Sequence, residues 1–540
     1  MNKLEVLKKH FGHDHFREGQ SEIIDALVAG QDALGIMPTG SGKSICYQVP
    51  ALMRPGIALV VSPLISLMKD QVMALKASGI PAAYINSSLT PGQQQEAIRR
   101  AARGMYKIIY VAPERLEVPQ FQTFAAQAEL SLIAVDEAHC VSQWGHDFRP
   151  SYLKIAHFIS TLPKRPPVCA FTATATRQVR DDILQMLALQ NPMRVSTGYN
   201  RPNLHFSSVK PSNKMGFLFE YLKGIGDQCG IIYCSTRKNV ESVCDKLQLL
   251  GFSATRYHAG LSDTERQQNQ EDFRMDRARI MVATNAFGMG IDKSDVRFVV
   301  HYNMPKDLES YYQEAGRAGR DGEAAECLLL YSGQDVMTGK WMIEHDDETN
   351  DVDPAERERL KERQLERLKQ MTFYATSKSC LRHFILQYFG EFDAEEHCNH
   401  CSVCDGDEFE VDSGGRRRDK RMSAHDEAKL ERRIAKEARR SSTSQTVASF
   451  NAWEKALYEN LRELRKLLAN RSRMPAYTIF SDVTLQDMVK KRPMDLDAFL
   501  DVSGVGVSKQ RIYGEAFLAV IRDGTEPNDA LLYMEAPNEP

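Results

Sequence analysis

Ala33-Leu-Gly-Ile-Met-Pro-Thr-Gly-Ser-Gly-Lys-Ser44, followed by Ile45-Cys-Tyr-Gln48, decides how this chain folds. The apolar start, Ala33 to Met37, reads as a buried strand, and Ser44 onward can open a helix. A strand, a glycine-rich turn and a helix have the geometry of a phosphate cradle. Gly40 and Gly42 let backbone N–H groups turn towards an anion, and the helix N-terminus adds the positive end of its dipole. Lys43 can then reach β- and γ-phosphates, and the Ser44 hydroxyl can ligate Mg²⁺. The strict pattern puts glycine first, where this chain has Met37. A chance glycine-rich turn would lack the strand before it and the helix after it. Met37, Pro38, Thr39, Gly40, Ser41, Gly42, Lys43 and Ser44 are therefore expected to bind ATP.

The flanking sequence repeats the strand theme. Residues 57–61, 107–111, 132–135 and 168–171 are apolar runs that end where polar residues begin. Buried parallel strands with functional loops at their C-terminal ends have this form, so the class is α/β. Upstream of the cradle, the Gln20 amide could pair with an adenine edge and Arg17 could stack on the base, although a polar helix start explains the same residues. The run at 132–135 delivers Asp136 and Glu137 to a strand tip. There Asp136 can hold Mg²⁺ and Glu137 can orient and deprotonate a water. A helix-capping acidic pair is the alternative, and the strand in front argues against it.

The cradle, Asp136-Glu-Ala-His139 and Thr172-Ala-Thr174 resemble the first motor domain of a superfamily 2 helicase. Three details resemble the RecQ family of DNA helicases: the Phe16/Arg17/Gln20 box, Cys140 after His139, and the loop Ser142-Gln-Trp-Gly-His-Asp-Phe-Arg-Pro150. The resemblance implies that this loop couples single-stranded DNA binding to ATP hydrolysis. Trp144 and Phe148 offer stacking faces, Arg149 a phosphate contact, and His146 lies between them. His13 stands where the family often has an adenine-stacking aromatic.

Residues 206–335 read as a second α/β unit, with strands within 230–236 and 279–285. Gln313, Arg317 and Arg320 resemble helicase motif VI, whose arginines would stabilise charge on the γ-phosphoryl. Gly316 and Gly319 disfavour an ordinary surface helix there. With one cradle only, a single ATP site between two RecA-like lobes is expected. Residues 336–407 differ in kind: Cys380 precedes Cys398, Cys401 and Cys404. Four thiolates suit tetrahedral Zn²⁺, an iron–sulfur cluster is the runner-up, and His383, His397 or His400 could replace a cysteine. The spacing resembles the RecQ zinc motif, which implies a structural Cys₄ zinc site.

Residues 408–447 read as a flexible linker. Between 416 and 440 eleven Lys/Arg face five Asp/Glu, a basic balance that suits a tether able to touch phosphate. The family usually places a duplex-splitting winged helix here, and this stretch has too few apolar residues to build one. Residues 448–523 resemble an HRDC domain, with Trp453, Leu457, Leu461, Leu464 and Leu468 at helical spacing and Arg473 and Tyr477 as strand contacts. A protein-contact bundle is the competing reading. Residues 524–540 read as a disordered acidic tail.

Composition bounds the rest. A chain of 540 residues holds three or four domains, and a net charge of −3 confines nucleic-acid affinity to local patches. Seven of the eleven cysteines are scattered, which suits a reducing compartment. Neither a signal-peptide pattern nor a membrane-length apolar run is present. An intracellular protein is expected, at the nucleoid of a bacterial cytoplasm or in a eukaryotic nucleus. The resemblance implies an ATP-dependent 3′→5′ helicase acting on single-stranded and tailed or forked DNA in recombination and repair, alongside single-strand-binding or other repair proteins. A translocase that does not open duplexes, an ATP-gated clamp and an RNA helicase compete with it. Glu137 and the motif VI arginines weigh against a clamp, which needs no catalytic base.

Overall fold

The computed structural model describes residues 1–145, 147–287, 293–345, 354–406, 447, 450–472 and 474–533. They form two compact units, the described residues of Met1–Tyr199 with Ser449–Pro540, and those of Asn200–Gly288 with Lys293–Ala448.

The first unit is built on strands β1 (Ala33–Ile36), β2 (Ile57–Val61), β3 (Ala82–Ile85), β4 (Ile108–Val111), β5 (Leu130–Val135), β6 (Val168–Thr172) and β7 (Met193–Ser196). They pair in parallel in the order β3-β4-β2-β5-β6-β1-β7. Every residue of β1, β2, β4 and β6 is buried. Their apolar runs lack alternation because helices cover both faces. β1 lies between β6 and β7, with Ala33 opposite Cys169 and Ile36 opposite Thr172. A side chain at Gly35 would bring a Cβ within 2.7 Å of the Phe171 ring, so the strand beneath the cradle accepts only glycine there.

The C-terminal segment belongs to this same unit. Helices Ala452–Ser472, Asp482–Lys491 and Val507–Asp523 bury Leu457, Leu461, Leu464 and Leu468, as the helical spacing predicts. Trp453, expected on that stripe, is 50% exposed instead and lies under the Arg492 guanidinium, 4.3 Å from it. It sits in the helix's first turn, where its neighbour is the Arg492 side chain, which also pairs with Glu454 at 3.2 Å. The segment docks on the end of helix Lys3–Phe11. Gly12, at φ 72°, accepts a 2.8 Å hydrogen bond at its carbonyl from Gly504 N, and a Cβ on Gly12 would run into the backbone of Val505. The expected disordered tail needs correction as far as residue 533. Pro527 opens a short helix at Pro527–Ala530, because Ala530 buries completely against Ala452–Ser472. Residues 534–540 lie outside the described residues.

The second unit carries β8 (Leu204–Val209), β9 (Gly230–Tyr233), β10 (Ala254–Tyr257), β11 (Ile280–Ala283), β12 (Phe298–His301) and β13 (Ala325–Leu330), all parallel, in the order β10-β11-β9-β12-β13-β8. The boundary expected after residue 205 falls inside β8, which pairs with β13 along its length, so the second unit begins at Asn200. Ahead of the cysteines, a run rich in Glu, Arg and Lys forms a helix at Pro354–Ala375. The cysteine segment continues the sheet edge: Ser402 N donates to the Phe206 carbonyl of β8 at 2.9 Å. The expected basic linker at 408–447 lies almost wholly outside the described residues.

Candidate active site and metal centre

The cradle forms where the strand reading puts it. Met37 N still bonds the Thr172 carbonyl of β6 at 3.0 Å, so the turn proper starts at Pro38. This accounts for methionine at the first motif position. The Met37 side chain is fully buried beside Cys46, and only its backbone faces the turn. Gly40 and Gly42 both sit at φ 84°, a left-handed conformation that side chains disfavour, and helix Lys43–Met53 follows. A Cβ on Gly42 would come within 2.6 Å of the Gln20 amide nitrogen. Lys43 Nζ donates to the Met37 carbonyl at 3.1 Å, folded back over its own turn.

Arg17 and Gln20 bind this turn directly. Arg17 donates to the Gly40 carbonyl at 2.6 Å, and the Gln20 amide donates to the Ser41 and Gly42 carbonyls at 3.1 Å each. Gln20 also accepts from Arg17 N at 2.9 Å. The box thus braces the cradle, a role beyond the base recognition expected of it.

Ser44 and Asp136 share a neighbour. The buried Tyr47 hydroxyl lies 3.2 Å from that of Tyr110, meets the Ser44 side chain and feels the Asp136 carboxylate. Burial first, then Tyr110 and Asp136, push its pKa well above the usual phenol range. A serine hydroxyl and a carboxylate gathered around one phenol form a hard oxygen donor set that fits Mg²⁺.

Beyond β5 the chain bends sharply. Glu137 is non-glycine at φ 47°, and its N–H bonds Asp136 Oδ1 at 3.0 Å. Tyr152 holds the Asp136 carbonyl at 2.9 Å. Glu137 Oε2 is buried, 3.4 Å from His139 Nδ1, and has no hydrogen-bond partner among the described residues. His139 is itself committed to the Thr172 hydroxyl at 2.9 Å, which ties the strand tip of β5 to that of β6. A buried carboxylate oxygen without a donor suits a group whose partner is a substrate water.

The aromatic loop leaves this same turn. Arg149 N donates to the Cys140 carbonyl at 2.9 Å, Gly145 N to the Ser142 carbonyl, and Trp144 N to the Ser142 hydroxyl at 3.0 Å. Ser142 bonds the Asp182 carboxylate. Arg149 also pairs with Asp147 at 2.9 Å. Trp144 is 40% exposed and Phe148 half-buried. His146 lies outside the described residues, as does Arg473; Tyr477 is half-buried in the C-terminal segment.

In the second unit, Gln313 lies on helix Leu308–Ala315, capped by Asp307, and Arg317 and Arg320 follow the helix end. Gln313 and Arg317 are buried. Tyr233 feels the Arg317 cation, donates to the Phe287 carbonyl at 3.4 Å and stacks on His301 at 5.5 Å. His301 pairs with the buried Glu314 at 2.9 Å.

The four cysteines converge. The sulfur atoms of Cys380, Cys398, Cys401 and Cys404 all lie within 4.8 Å of one another, with Cys380 and Cys401 4.0 Å apart. With Zn–S near 2.3 Å, a tetrahedron needs sulfur separations of about 3.8 Å. A multi-iron cluster would hold the thiolates farther apart. His383 Nδ1 faces the Glu395 carbonyl at 3.0 Å and His400 packs edge-on against His205, while His397 Nδ1 lies 4.0 Å from Cys404 Sγ. Four sulfur atoms at this spacing fit a tetrahedral Zn²⁺.

Sequence reading missed Tyr47, Tyr152 and Arg201. The first two are aromatics that read as core. Arg201 lies in Asn200-Arg-Pro-Asn203, a polar stretch with no motif to single it out.

Comparison with known proteins agrees with this architecture. Residues 17–182 match the DEAD/DEAH box helicase model and 213–322 the helicase conserved C-terminal domain. Residues 333–405 match the RecQ zinc-binding model and 454–521 the HRDC domain. The chain is 39% identical to the ATP-dependent DNA helicase RecQ of Bacillus subtilis (strain 168), over 96% of this chain and 98% of that one. It is 36% identical to the ATP-dependent DNA helicase RecQ of Pasteurella multocida (strain Pm70), covering 96% and 93%. The fold is shared with Saccharomyces cerevisiae Dbp5 bound to RNA and ADP BeF3, at TM-score 0.51 and 18% identity, over 67% of this chain and 96% of that one.

Proposed function

This chain belongs to the RecQ family of ATP-dependent DNA helicases, and from that premise we propose how its residues divide the work. Lys43 and the cradle amides hold the β- and γ-phosphates. Ser44 and Asp136 would ligate Mg²⁺, which when bound neutralises charge on the β- and γ-oxygens. Glu137 orients the attacking water and takes its proton. Gln313, Arg317 and Arg320 supply hydrogen bonds and positive charge to the γ-phosphoryl as the bond breaks. Trp144, Phe148 and Arg149 grip single-stranded DNA. Because Arg149 N is bonded to the Cys140 carbonyl, a shift of the DNA-holding loop is carried to the Glu137 turn.

The single observation that carries this reading is the buried, unbonded Glu137 Oε2 at a strand tip, held beside a His139–Thr172 bond. Motion along DNA in the 3′→5′ sense, a preference for tailed or forked duplexes, repair-protein partners and a location with the chromosome are part of the proposal. They rest on family likeness.

The family resemblance implies a duplex-splitting winged helix between the zinc-binding and HRDC segments. The alignment to the Bacillus subtilis relative runs over 587 positions against a chain of 540, so this chain is gapped against it. Residues 406–453 separate the zinc-binding and HRDC matches. This shortfall favours a second reading, translocation on single strands without duplex opening. Strand displacement decides between them, measured with ATP and Mg²⁺ on a 3′-tailed duplex beside a 5′-tailed one. The expected result is unwinding of the 3′-tailed duplex alone, and none by Lys43→Ala, which keeps DNA binding. DNA-stimulated ATP turnover without displacement would establish the translocase.

A further inference from the structure

The motif VI arginines leave their helix on the turn Gly316–Gly319, and this turn is held from outside. Arg201 is buried, and its guanidinium fans over the turn. One terminal nitrogen donates to the Gly316 carbonyl at 3.4 Å, and the other to the Ala318 and Gly319 carbonyls at 3.1 and 2.8 Å. Asn203 adds a bond to Gly319 O at 2.9 Å. The turn has no slack, because Gly319 is at φ 55° and a Cβ there would come within 2.5 Å of the Asn203 amide. A planar, five-donor guanidinium can fix three carbonyls at once, where a lysine ammonium binds as a point.

Arg201 is held in turn. Arg382 donates to the Asn200 side chain at 2.9 Å, to the Arg201 carbonyl at 2.5 Å and to the Leu204 carbonyl. Its guanidinium lies 5.3 Å from the Phe206 ring. Arg382 stands two residues after Cys380, in the zinc-binding segment.

We infer that Arg201 is a positioning residue for ATP hydrolysis, which aims Arg317 by fixing the carbonyls of the turn that carries it, and that Arg382 braces Arg201 from the zinc-binding segment. This rests on the role proposed above for Arg317. A misplacement of about 1 Å in such a group can cost about 100-fold in turnover. Arg201→Lys is therefore expected to lower the DNA-stimulated kcat about 10- to 100-fold, with the KM for ATP, the affinity for single-stranded DNA and the melting temperature close to the parent's. Arg382→Lys should show the same split, more weakly.

The decisive comparison uses Arg317→Ala in the full chain. If Arg201 acts through Arg317, adding Arg201→Lys to Arg317→Ala slows it little further. Full multiplication of the two losses would overturn the inference, as would parent-like kcat in Arg201→Lys. Should Arg201→Lys fail to fold, the same cycle run with Arg382→Lys reads the coupling, and independence there overturns it equally. Parent-like turnover in Arg317→Ala would remove the role assigned to Arg317 itself. A slow Arg317→Ala beside an unaffected Arg201→Lys removes only the positioning role.

Discussion

At Glu137, backbone and side chain point to one use. A non-glycine residue at φ 47° carries a conformational cost on the order of 1 kcal/mol or more. The cost persists because Tyr152 and the Asp136 carboxylate fix both sides of the bend. What the bend achieves is a carboxylate with one oxygen buried and unbonded beside His139. Glu137→Gln keeps the shape and removes the base. DNA-stimulated kcat should then fall about 100- to 1,000-fold, the scale of a lost general base, while nucleotide affinity stays within about twofold. Steady-state turnover beside equilibrium binding of a fluorescent nucleotide measures both, and retained turnover would dismiss Glu137 as the base.

Among the elements, legibility followed burial. Strands β1, β2, β4, β5 and β6 were readable because buried parallel strands must be apolar throughout, and each ends where chemistry begins. The cradle, Asp136 and Glu137 were readable for the same reason, since strand tips carry the polar exceptions. Trp453 misled because an apolar residue in a first helical turn has the right period, yet it is covered by the Arg492 guanidinium and not by an apolar face. Arg201 and Arg382 could not be found by pattern at all. They bind backbone carbonyls far away in sequence, and a carbonyl has no letter in the code. The zinc-binding segment was legible as a ligand set, yet its attachment was not. Its backbone joins the edge of β8 through Ser402, and His205 of β8 bridges Glu326 and Asp405. Burial alone would lower the His205 pKa, but bonds to those two carboxylates raise it to about 10. Cys401→Ser should therefore do more than remove zinc. It should loosen β8, whose Phe206 forms a backbone bridge with Cys401, and lower the thermal midpoint by several degrees. Metal content per chain and a melting curve check this together. Unchanged zinc would refute the ligand set, and bound iron would replace it with a cluster.

For the molecule as a whole, the consequential contact is between its two ends in sequence. The loop at Gly504–Gly506 presses on the end of helix Lys3–Phe11, and a Cβ on Gly79 would approach the Ser508 hydroxyl to 2.6 Å. The contact lies a few residues before Arg17 and Gln20, which brace the cradle. His13 stands between them. Desolvation chiefly, then the Arg17 and Lys509 cations, lower its pKa to about 4. The unfolded chain, with an ordinary histidine, takes up a proton near pH 6.5, and the folded chain only near 4. The unfolded state thus binds more protons in that interval; because the His13 side chain is exposed, the stability due to its neutral form is small, complete above pH 6.5 and lost as the pH falls towards 4. If the docked segment creates this environment, removing the contact must remove the pH dependence. Ser508→Trp overfills the space against Gly79 and should release the segment. Small-angle scattering would then show a larger radius of gyration at pH 7. The drop in melting temperature between pH 7 and pH 5 should shrink in Ser508→Trp and equally in His13→Phe, whose ring cannot titrate. A variant that stays compact, or one that opens while its acid sensitivity stays intact, would separate His13 from the docked segment and leave its low pKa to the first lobe alone.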